Sequence, residues 1–351
     1  MLLTGASSGV GLAAARLLAG EGARLALVAR RDEGLRATVE EEGLDAVVLG
    51  ADLGERAEAE RAVARAVEAL GGLDVVVSNA AAAVFGHASE VHPDDFDRTV
   101  AVTFTGAVDV IRAALPHLRA SRGTIVATGS LMARVPLPTW SSYAAAKHAL
   151  RGFLGSLAIE EREQGSGVRV VMVHPGPIDT PLFAHASSAT GRKPRVAPDA
   201  YGPDLVAAAL VEAVVRPRGE IVLGGETRLL DLLYAGPRPL ATAVLLLIDR
   251  WYRSGEEDAG GPGGLWQAPH ATQLSGGIPS RGSLLAPLQT GLRVAPDLGA
   301  PVAVARHMLR AVRTAVPLAG RLLRPVPERP PPDAGLRRPA PRPADPGQVT
   351  L

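Results

Sequence analysis

Short apolar runs alternate with longer amphipathic segments through the first two-thirds of the chain. Because the short runs lack polar alternation, we expect them to be strands that are buried on both faces. The predicted strands are residues 23–29, 46–50, 74–78, 123–128, 168–173 and 220–223. The predicted helices are residues 11–20, 33–42, 55–70, 107–118, 143–163 and 204–215. This alternation predicts an α/β protein with a doubly wound parallel sheet, in which helices cover both faces.

The first apolar run is unusually short. Only Met1, Leu2 and Leu3 precede a glycine-rich segment, whereas a strand usually has about five residues. Two explanations stay open: a shortened first strand, or a start codon upstream of the assigned one.

The pattern changes after residue 225. Residues 228–234 and 240–252 predict two helices, and residues 255–301 are rich in Gly, Pro and Ser, which predicts a loop. Leu, Val and Ala alternate with Arg over 302–323, which predicts a basic amphipathic helix. The sequence beyond is rich in Pro and Arg, and we expect it to be disordered.

These changes divide the chain into a domain at 1–225, a partly helical, low-complexity extension at 226–324 and a tail at 325–351. We interpret the extension as a helix packed on the domain. Two alternatives stay open, helices that close a substrate pocket and a peripheral surface that contacts an anionic membrane.

Composition excludes several classes of protein. The 351 residues include no cysteine, which excludes disulfides, thiolate nucleophiles and Cys-based zinc sites. The net charge of +1 gives no reason to expect nucleic-acid binding, and no metal site is predicted. Neither a signal sequence nor an uninterrupted apolar stretch of about 20 residues is evident, so we expect a cytoplasmic protein without a membrane span. Aromatic residues make up only 3% of the chain, so the core must consist of Ala, Val and Leu.

Tyr143 and Lys147 carry the clearest chemistry in the sequence. They are four residues apart in an alanine-rich, helix-favouring stretch, so the phenol and the ammonium group share one helix face. A neighbouring cation favours the phenolate, and we therefore expect the pKa of Tyr143 to lie below its usual value of about 10. Such a phenol can donate and accept protons near neutral pH.

A glycine-rich turn precedes the first predicted helix and indicates a nucleotide site. Its glycines permit a tight turn and a close approach of backbone to a pyrophosphate at the helix N-terminus. The candidate residues of this turn are Thr4, Gly5, Ser7, Ser8, Gly9, Val10 and Gly11. Arg30 and Arg31 end the second strand, where an acidic residue would bind the ribose of NAD. Because arginine suits phosphate recognition, NADP(H) is predicted over NAD(H), with Arg30 as the main contact.

Together with Ser130, which precedes Tyr143 by 13 residues, these motifs resemble the short-chain dehydrogenase/reductase superfamily over residues 1–225. The resemblance implies a Rossmann-type fold and hydride transfer between a nicotinamide cofactor and a carbonyl or alcohol. It further implies that Ser130 holds the substrate oxygen, that Tyr143 transfers its proton and that Lys147 binds the nicotinamide ribose. Relatives commonly form homodimers or homotetramers, and we expect one of these states.

The resemblance assigns further cofactor contacts after the third, fourth and sixth strands. Relatives hold the adenine where Asp52 and Leu53 stand here, and the adenine ribose near Asn79 and Ala80. Ala81 replaces the glycine of the usual Asn-Ala-Gly motif. The nicotinamide end is expected to bind Pro175, Gly176, Ile178 and Thr180.

Thr103 is the main departure from the family pattern. Many relatives carry a fourth catalytic residue, an asparagine, at this place in a Val-Asn-x-x-Gly context, whereas this chain has Thr103. A backbone carbonyl could preserve the contact to a catalytic water, but we expect the brace that the asparagine side chain gives to a helix distortion to be lost. Catalysis should be retained in altered form.

Substrate contacts are expected from two apolar segments. The first contributes Leu131, Met132, Val135, Leu137, Pro138 and Trp140, and the second contributes Pro181, Leu182 and Phe183, followed by a polar loop at 187–198. A small or medium apolar carbonyl/alcohol pair is therefore the predicted substrate. The alternatives are a catalytically weak nucleotide-binding regulatory or scaffold protein, favoured by Thr103, Ala81 and the short first strand, and an isomerase or dehydratase that uses the same tyrosine.

Overall fold

The structure, a computed structural model, describes residues 1–184, 186–195, 200–258, 263–267, 272 and 274–276. The predicted basic helix at 302–323, the tail at 325–351 and most of the predicted loop at 255–301 lie outside the described residues.

A seven-stranded parallel sheet forms the centre of the domain, with the strand order β3-β2-β1-β4-β6-β7-β9. Its strands are β1 (Leu2–Thr4), β2 (Leu25–Ala29), β3 (Ala46–Gly50), β4 (Val75–Ser78), β6 (Thr124–Thr128), β7 (Arg169–His174) and β9 (Glu220–Val222). Two short strands, β5 (Val84–Phe85) and β8 (Ser187–Ser188), form a separate parallel pair. The predicted doubly wound α/β fold is confirmed. The first strand has only three residues, in agreement with the short apolar run at the start of the chain.

Helices connect the strands and cover both faces of the sheet. They are α1 (Gly9–Gly20), α2 (Glu33–Glu41), α3 (Arg56–Leu70), α4 (Pro93–Val100), α5 (Gly106–Ser121), α6 (Ser141–Glu163), α7 (Pro181–Ala184) and α8 (Pro203–Val215). Three further helices follow the domain: α9 (Gly225–Ala235), α10 (Arg238–Tyr252) and the single turn α11 (Gly263–Trp266). Helix α4 is absent from the predicted elements, because its eight residues include only two large apolar side chains, Phe96 and Val100, which are too few to establish a helical period.

The continuous apolar runs reflect a sheet buried on both sides. Leu3 and Leu27 pack into a core with α1 and α8, while their neighbours Leu2 and Ala26 pack into a second core with α3 and α5. Successive residues of a strand point to opposite faces, so every position of β1 and β2 must be apolar or, like Thr4, satisfied by hydrogen bonds.

A π-helical segment, Ala101–Thr105, joins α4 to α5. The continuous stretch Pro93–Ser121 is the one helix among the described residues that is long and apolar enough to cross a bilayer. The sequence pattern does not lead us to expect such a stretch. Ile111 and Leu118 on this stretch are fully buried in the core of the domain. A buried core helix meets the same criterion of length and apolar composition as a membrane span.

The described part of the extension packs on the domain through α10. Ala241, Leu245 and Tyr252 on one face of this helix are buried, while Leu240 and Leu246 are about half exposed. Leu245 and Tyr252 pack into an apolar cluster that also contains Tyr143. The extension therefore contributes directly to the surroundings of the predicted catalytic tyrosine.

Candidate active site

The glycine-rich turn between β1 and α1 has a backbone that larger residues would disrupt. Gly5 has φ +67°, in the left-handed region that favours glycine. A Cβ atom on Gly11 would lie 2.0 Å from the carbonyl oxygen of Gly5. Thr4 Oγ1 accepts hydrogen bonds from the backbone N–H groups of Asn79 and Ala80, which ties the turn to the end of β4.

One cavity at the carboxyl edge of the sheet brings most of the predicted site residues together. Those that line it are Gly5, Ser7, Ser8, Gly9, Val10, Arg30, Arg31, Asp52, Leu53, Asn79, Ala80, Ser130, Tyr143, Lys147, Pro175, Gly176, Ile178 and Thr180. Thr4, Gly11 and Thr103 do not line the cavity. They support its wall, because Thr4 and Gly11 shape the glycine turn and Thr103 holds a neighbouring loop.

Asn79 links three strands beneath this cavity. Its side-chain N–H donates to the carbonyl oxygen of Gly5 at 3.2 Å, and its oxygen accepts from Thr128 Oγ1 at 2.9 Å. These bonds fix the ends of β1, β4 and β6 relative to each other. The floor of the cavity is thus set by the strands themselves, as is usual for ligand sites in open α/β sheets.

Arg30 lies at the end of the cavity where the adenosine moiety is predicted to bind. Its guanidinium group donates hydrogen bonds to the backbone carbonyls of Gly264 and Leu265, at 2.8 Å for Leu265. Burial lowers the pKa of Arg30 from its usual value. No local sequence signal indicates this contact, because more than two hundred residues separate its partners.

Arg98 is absent from the predicted site residues, yet it lies beside Arg30. It is buried, forms an ion pair with Asp52 and points its Nε toward Leu265 O at 3.4 Å. The guanidinium also lies 5.5 Å from the ring centroid of Trp266. Only the tertiary structure shows that Arg98 of α4 pairs with Asp52, the carboxylate that is expected near the adenine.

Ser130, Tyr143 and Lys147 meet at the opposite end of the cavity. Lys147 is buried, and its Nζ donates to the carbonyl oxygen of Thr128 at 2.7 Å. The same Nζ lies 5.6 Å from the ring centroid of Tyr143. Ser130 Oγ accepts a hydrogen bond from the N–H of Met132 at 3.0 Å, and the same side chain hydrogen-bonds Tyr143.

Burial, and not charge, dominates the ionisation of Tyr143 in this structure. It raises the pKa of Tyr143 well above 10, and a hydrogen bond with Ser130 opposes only part of that rise. Burial also lowers the pKa of Lys147 to about 8. The predicted lowering of the Tyr143 pKa by Lys147 is therefore wrong for the protein alone, because both groups have lost water that stabilises their charged forms.

Thr103 braces the distorted helix in place of the family's asparagine. Its Oγ1 donates to the carbonyl oxygen of Ala82 at 2.9 Å and accepts from the N–H of the same residue at 3.0 Å. The expectation that the brace is lost is wrong, because the π-helix brings this short side chain within reach of both backbone groups of Ala82. The hydroxyl thereby satisfies a buried donor and a buried acceptor at once.

Replacing Thr103 with valine should lower the free energy of unfolding by about 2 kcal/mol, because the N–H and the C=O of Ala82 both lose their partner. Thermal unfolding would measure the change. Thr99→Val is the matched control, since the Thr99 hydroxyl donates only to the carbonyl of Asp95 within the same helix. Equal losses in the two variants would contradict a specific role for Thr103.

His174 supports Ser130 from behind, as a structural residue. It is fully buried at the end of β7, and its Nδ1 donates to the carbonyl oxygen of Ser130 at 3.2 Å. Because a carbonyl only accepts, this bond fixes the neutral ring with its proton on Nδ1. Burial lowers the pKa of His174 to about 4.

Acid should destabilise the protein through His174. Its pKa in the folded state lies below the value of about 6.5 expected when unfolded, so the unfolded chain binds the proton first. Its stabilising contribution is complete above about pH 6.5 and is lost as the pH falls toward 4, by up to about 3 kcal/mol. Chemical denaturation between these pH values, compared with His174→Asn, would measure the contribution; parallel curves would contradict it.

The wall beside Tyr143 is apolar. Ala81, Ala83, Leu182, Phe183 and Ala186 line the cavity there. Of the predicted substrate contacts, Pro181, Leu182 and Phe183 reach it.

Five of the six residues predicted from the first apolar segment lie behind this wall, whereas Pro138 is only partly buried and does not line the cavity. Leu131, Met132, Val135, Leu137 and Trp140 are buried in the cluster that surrounds Tyr143. Their contribution is therefore to pack the wall.

The chain is similar to oxidoreductases in sequence and in structure. A family model described as short chain dehydrogenase matches residues 1–191. The uncharacterized oxidoreductase YxnA of Bacillus subtilis is 35% identical over 241 residues, which cover 67% of this chain and 68% of that protein. A glucose 1-dehydrogenase of Gluconobacter oxydans is 34% identical over 190 residues, or 52% of this chain and 70% of that one.

Among solved structures, an alcohol dehydrogenase from Thermococcus sibiricus, complexed with 5-hydroxy-NADP, aligns with a TM-score of 0.55 and 27% identity. The alignment covers 63% of this chain and 94% of that one. The family match spans all of the predicted site residues, from β1 to the loop after α7. The chain therefore belongs to the short-chain dehydrogenase/reductase superfamily of oxidoreductases.

Proposed function

We propose that this enzyme uses NADP(H) to interconvert an apolar carbonyl compound and its alcohol. The observation that carries the proposal is the single cavity that joins Arg30 at one end to Ser130, Tyr143 and Lys147 at the other. A phosphate-binding cation and a proton donor thus lie at the two ends of one elongated site, as a dinucleotide with a reactive nicotinamide requires.

Tyr143 is the proposed general acid in carbonyl reduction. Its raised pKa keeps the phenol protonated at neutral pH, so a proton is available when negative charge develops on the substrate oxygen. Ser130 donates a second hydrogen bond to that oxygen. The hydride comes from the nicotinamide ring of the reduced cofactor. In the reverse direction, the phenolate must take the proton of the alcohol.

Lys147 is proposed to bind the nicotinamide ribose. With a pKa of about 8, it is mainly an ammonium group at neutral pH. One of its three N–H groups is engaged by Thr128 O, which leaves donors for ribose hydroxyls. The ammonium is also placed to stabilise a phenolate on Tyr143 during turnover.

The glycine turn and Arg30 support the choice of cofactor. The close packing around Gly5 and Gly11 leaves a backbone cradle at the N-terminus of α1 that side chains would fill, and such a cradle fits a pyrophosphate. Arg30 offers a planar set of donors for a 2′-phosphate. The structural relative from Thermococcus sibiricus was solved with an NADP derivative, which supports the same choice here.

The apolar wall supports the choice of substrate. The side chains of Leu182 and Phe183 lie in the same cavity as Tyr143, and they offer no charged partner to a sugar acid or a phosphorylated substrate. An aromatic or aliphatic carbonyl would instead be stabilised there by burial of its apolar surface.

Two experiments test this function. The first is a nicotinamide fluorescence titration with NADPH and NADH. The second is a set of NADPH oxidation assays with aromatic and medium-chain aldehydes and ketones. Tighter binding of NADPH and net oxidation with an apolar carbonyl are expected. Cofactor binding without net hydride transfer to any carbonyl would favour the isomerase, dehydratase or regulatory alternative. A cytoplasmic location and a homodimer or homotetramer stay predictions.

A further inference from the structure

Thr139 holds a backbone conformation that its residue type disfavours. Its φ of 62° lies in the left-handed region, which is costly for a β-branched residue. The residue is buried, and its carbonyl oxygen accepts a hydrogen bond from the N–H of Gly86 at 2.9 Å. Helix α6, which carries Tyr143 in its first turn, begins two residues later. A strained residue thus sets the direction in which the catalytic helix starts.

Asp249 of the extension stabilises this conformation. The carboxylate is buried on α10, and its Oδ1 accepts a hydrogen bond from Thr139 Oγ1 at 2.8 Å. The hydroxyl of Thr139 also lies 2.6 Å from the carbonyl oxygen of Pro138, but the carboxylate is the stronger acceptor. The other oxygen of Asp249 pairs with Arg253 at 2.8 Å.

The same face of α10 also contacts the next residue along the chain. Tyr252 packs edge-on against Trp140, with ring centroids 5.9 Å apart. Trp140 in turn packs edge-on against Tyr143 at 6.3 Å. Asp249 and Tyr252 are three apart on one helix and therefore contact the adjacent residues Thr139 and Trp140 from the same side.

We propose that Asp249 is a positioning residue for Tyr143. By holding Thr139 in the left-handed region, it fixes the first turn of α6 and thereby the place of the phenol relative to Ser130. This inference rests on the proposed role of Tyr143. It assigns the extension a part in catalysis, although none of the residues in α10 lines the cavity.

The test uses Asp249→Ala, Thr139→Gly and the double variant, assayed with NADPH and benzaldehyde. Asp249→Ala should lower kcat by about 10- to 100-fold, since small misplacements of a catalytic group have effects of that size. NADPH affinity should stay unchanged. Glycine adopts a positive φ without strain, so Thr139→Gly should retain activity and should restore it in the double variant. Asp249→Asn keeps an acceptor oxygen and should stay near wild type.

Arg253→Ala is the matched control, because it removes the other partner of the same carboxylate and should leave kcat unchanged. If Asp249→Ala lowered kcat equally with and without the Thr139→Gly substitution, or did not lower it at all, the inference would be overturned. Thermal unfolding measures the coupling between Asp249 and Thr139 without a substrate. It compares the wild type with the two single variants and the double variant. Additive shifts in Tm would also overturn the inference. Full activity of Tyr143→Phe would overturn the proposed function itself, whatever Asp249 does.

A different observation concerns the adenosine end of the cavity. The turn α11 places the carbonyls of Gly264 and Leu265 on Arg30, and the side chain of Leu265 is fully buried in a cluster with Ala82 and Val84. Leu265 lines the same cavity as Asp52. The carbonyl oxygens of Gly264 and Leu265 thus accept the hydrogen bonds that Arg30 would donate to the 2′-phosphate of the cofactor.

We infer that α11 competes with the nucleotide for this end of the cavity. A phosphate accepts hydrogen bonds from arginine more strongly than peptide carbonyls do, so binding of NADP(H) displaces the carbonyls from Arg30. This inference rests on the proposed cofactor specificity. It implies that the apparent affinity for NADP(H) depends on the strength of the Leu265 packing contacts, which must be broken before the cofactor binds.

Leu265→Ser removes the apolar anchor without adding charge. Calorimetric titration with adenosine 2′,5′-bisphosphate should show binding about 5- to 10-fold tighter than wild type, because less packing must be broken. Leu232→Ser is the matched control, since Leu232 is largely exposed on α9. Unchanged or weaker binding by Leu265→Ser would overturn the competition. No binding of the bisphosphate to the wild type or to either variant would overturn the proposed cofactor as well, whereas a failure of carbonyl reduction would leave this measurement unaffected.

Discussion

Replacing Tyr143 with phenylalanine is expected to lower kcat for carbonyl reduction by about 10³-fold, the usual range for a lost general acid. The change removes one hydroxyl from the cavity wall and leaves the ring in contact with Trp140. NADPH affinity and Tm should therefore stay close to wild type. Steady-state kinetics and a fluorescence titration on the same preparation would separate the loss of chemistry from a loss of binding.

Tyr234→Phe provides the matched control for this prediction. Tyr234 lies on α9, where Arg238 stacks on its ring at 4.1 Å, and it is not among the residues that line the cavity. The same loss of a hydroxyl there should leave kcat unchanged. If Tyr143→Phe kept more than about a tenth of wild-type turnover, proton transfer by Tyr143 would be excluded as the main catalytic contribution.

Replacing Arg30 with alanine is expected to weaken NADPH binding by about 10- to 100-fold, because charge-assisted hydrogen bonds to a phosphate contribute about 1.5 to 3 kcal/mol. NADH has no 2′-phosphate, so its affinity should change little. The ratio of the two dissociation constants, measured by nicotinamide fluorescence, is the decisive quantity. It should move toward one in the variant.

Two comparisons sharpen the test of Arg30. Arg31→Ala should have a smaller effect, since Arg31 is predicted to be the weaker phosphate contact. Arg16→Ala removes an arginine that pairs with Glu42 away from the cavity, and it should not change the ratio. An unchanged NADPH/NADH ratio in Arg30→Ala would place the phosphate on another residue, of which Arg31 and buried Arg98 both line the same cavity.

Much of the nucleotide half of the site could be predicted from sequence because its information is local. The turn from Gly5 to Gly11 and the arginines after β2 each occupy a few consecutive residues, and the parallel sheet brings the ends of its strands to one edge. Once the alternation of strands and helices is recognised, the loops after β1, β2, β3 and β4 have to meet. The residues that line the cavity come from all four of these loops.

The helical spacing of Tyr143 and Lys147 can also be predicted from sequence, but the direction of the Tyr143 pKa shift cannot. Sequence shows that the two groups are near each other. It does not show that both are buried, and burial reverses the expected direction of the Tyr143 pKa. Electrostatic effects depend on the loss of water around a group, which is a property of the packed structure.

Thr103 shows a similar limit. The family pattern identified the position, and the loss of asparagine suggested a lost brace. The hydroxyl nevertheless bonds both backbone groups of Ala82, because Thr103 lies in the π-helical segment with its side chain against the loop after β4. A short side chain can make such a brace when the tertiary structure places it close enough, and no local sequence rule describes that placement.

The seven-stranded sheet, most of its helices, the glycine turn and most of the residues at the carboxyl edge can be predicted from the amino-acid sequence, since they depend on the periodicity of neighbouring positions, on the order of the strands or on short motifs. The contacts of the extension do not follow from it, and they emerge only when the chain is folded. Asp249 meets Thr139 across 110 positions of the chain, and Leu265 meets Arg30 across 235. Such contacts depend on how separate helices pack, and packing surfaces carry no short-range signature in the sequence.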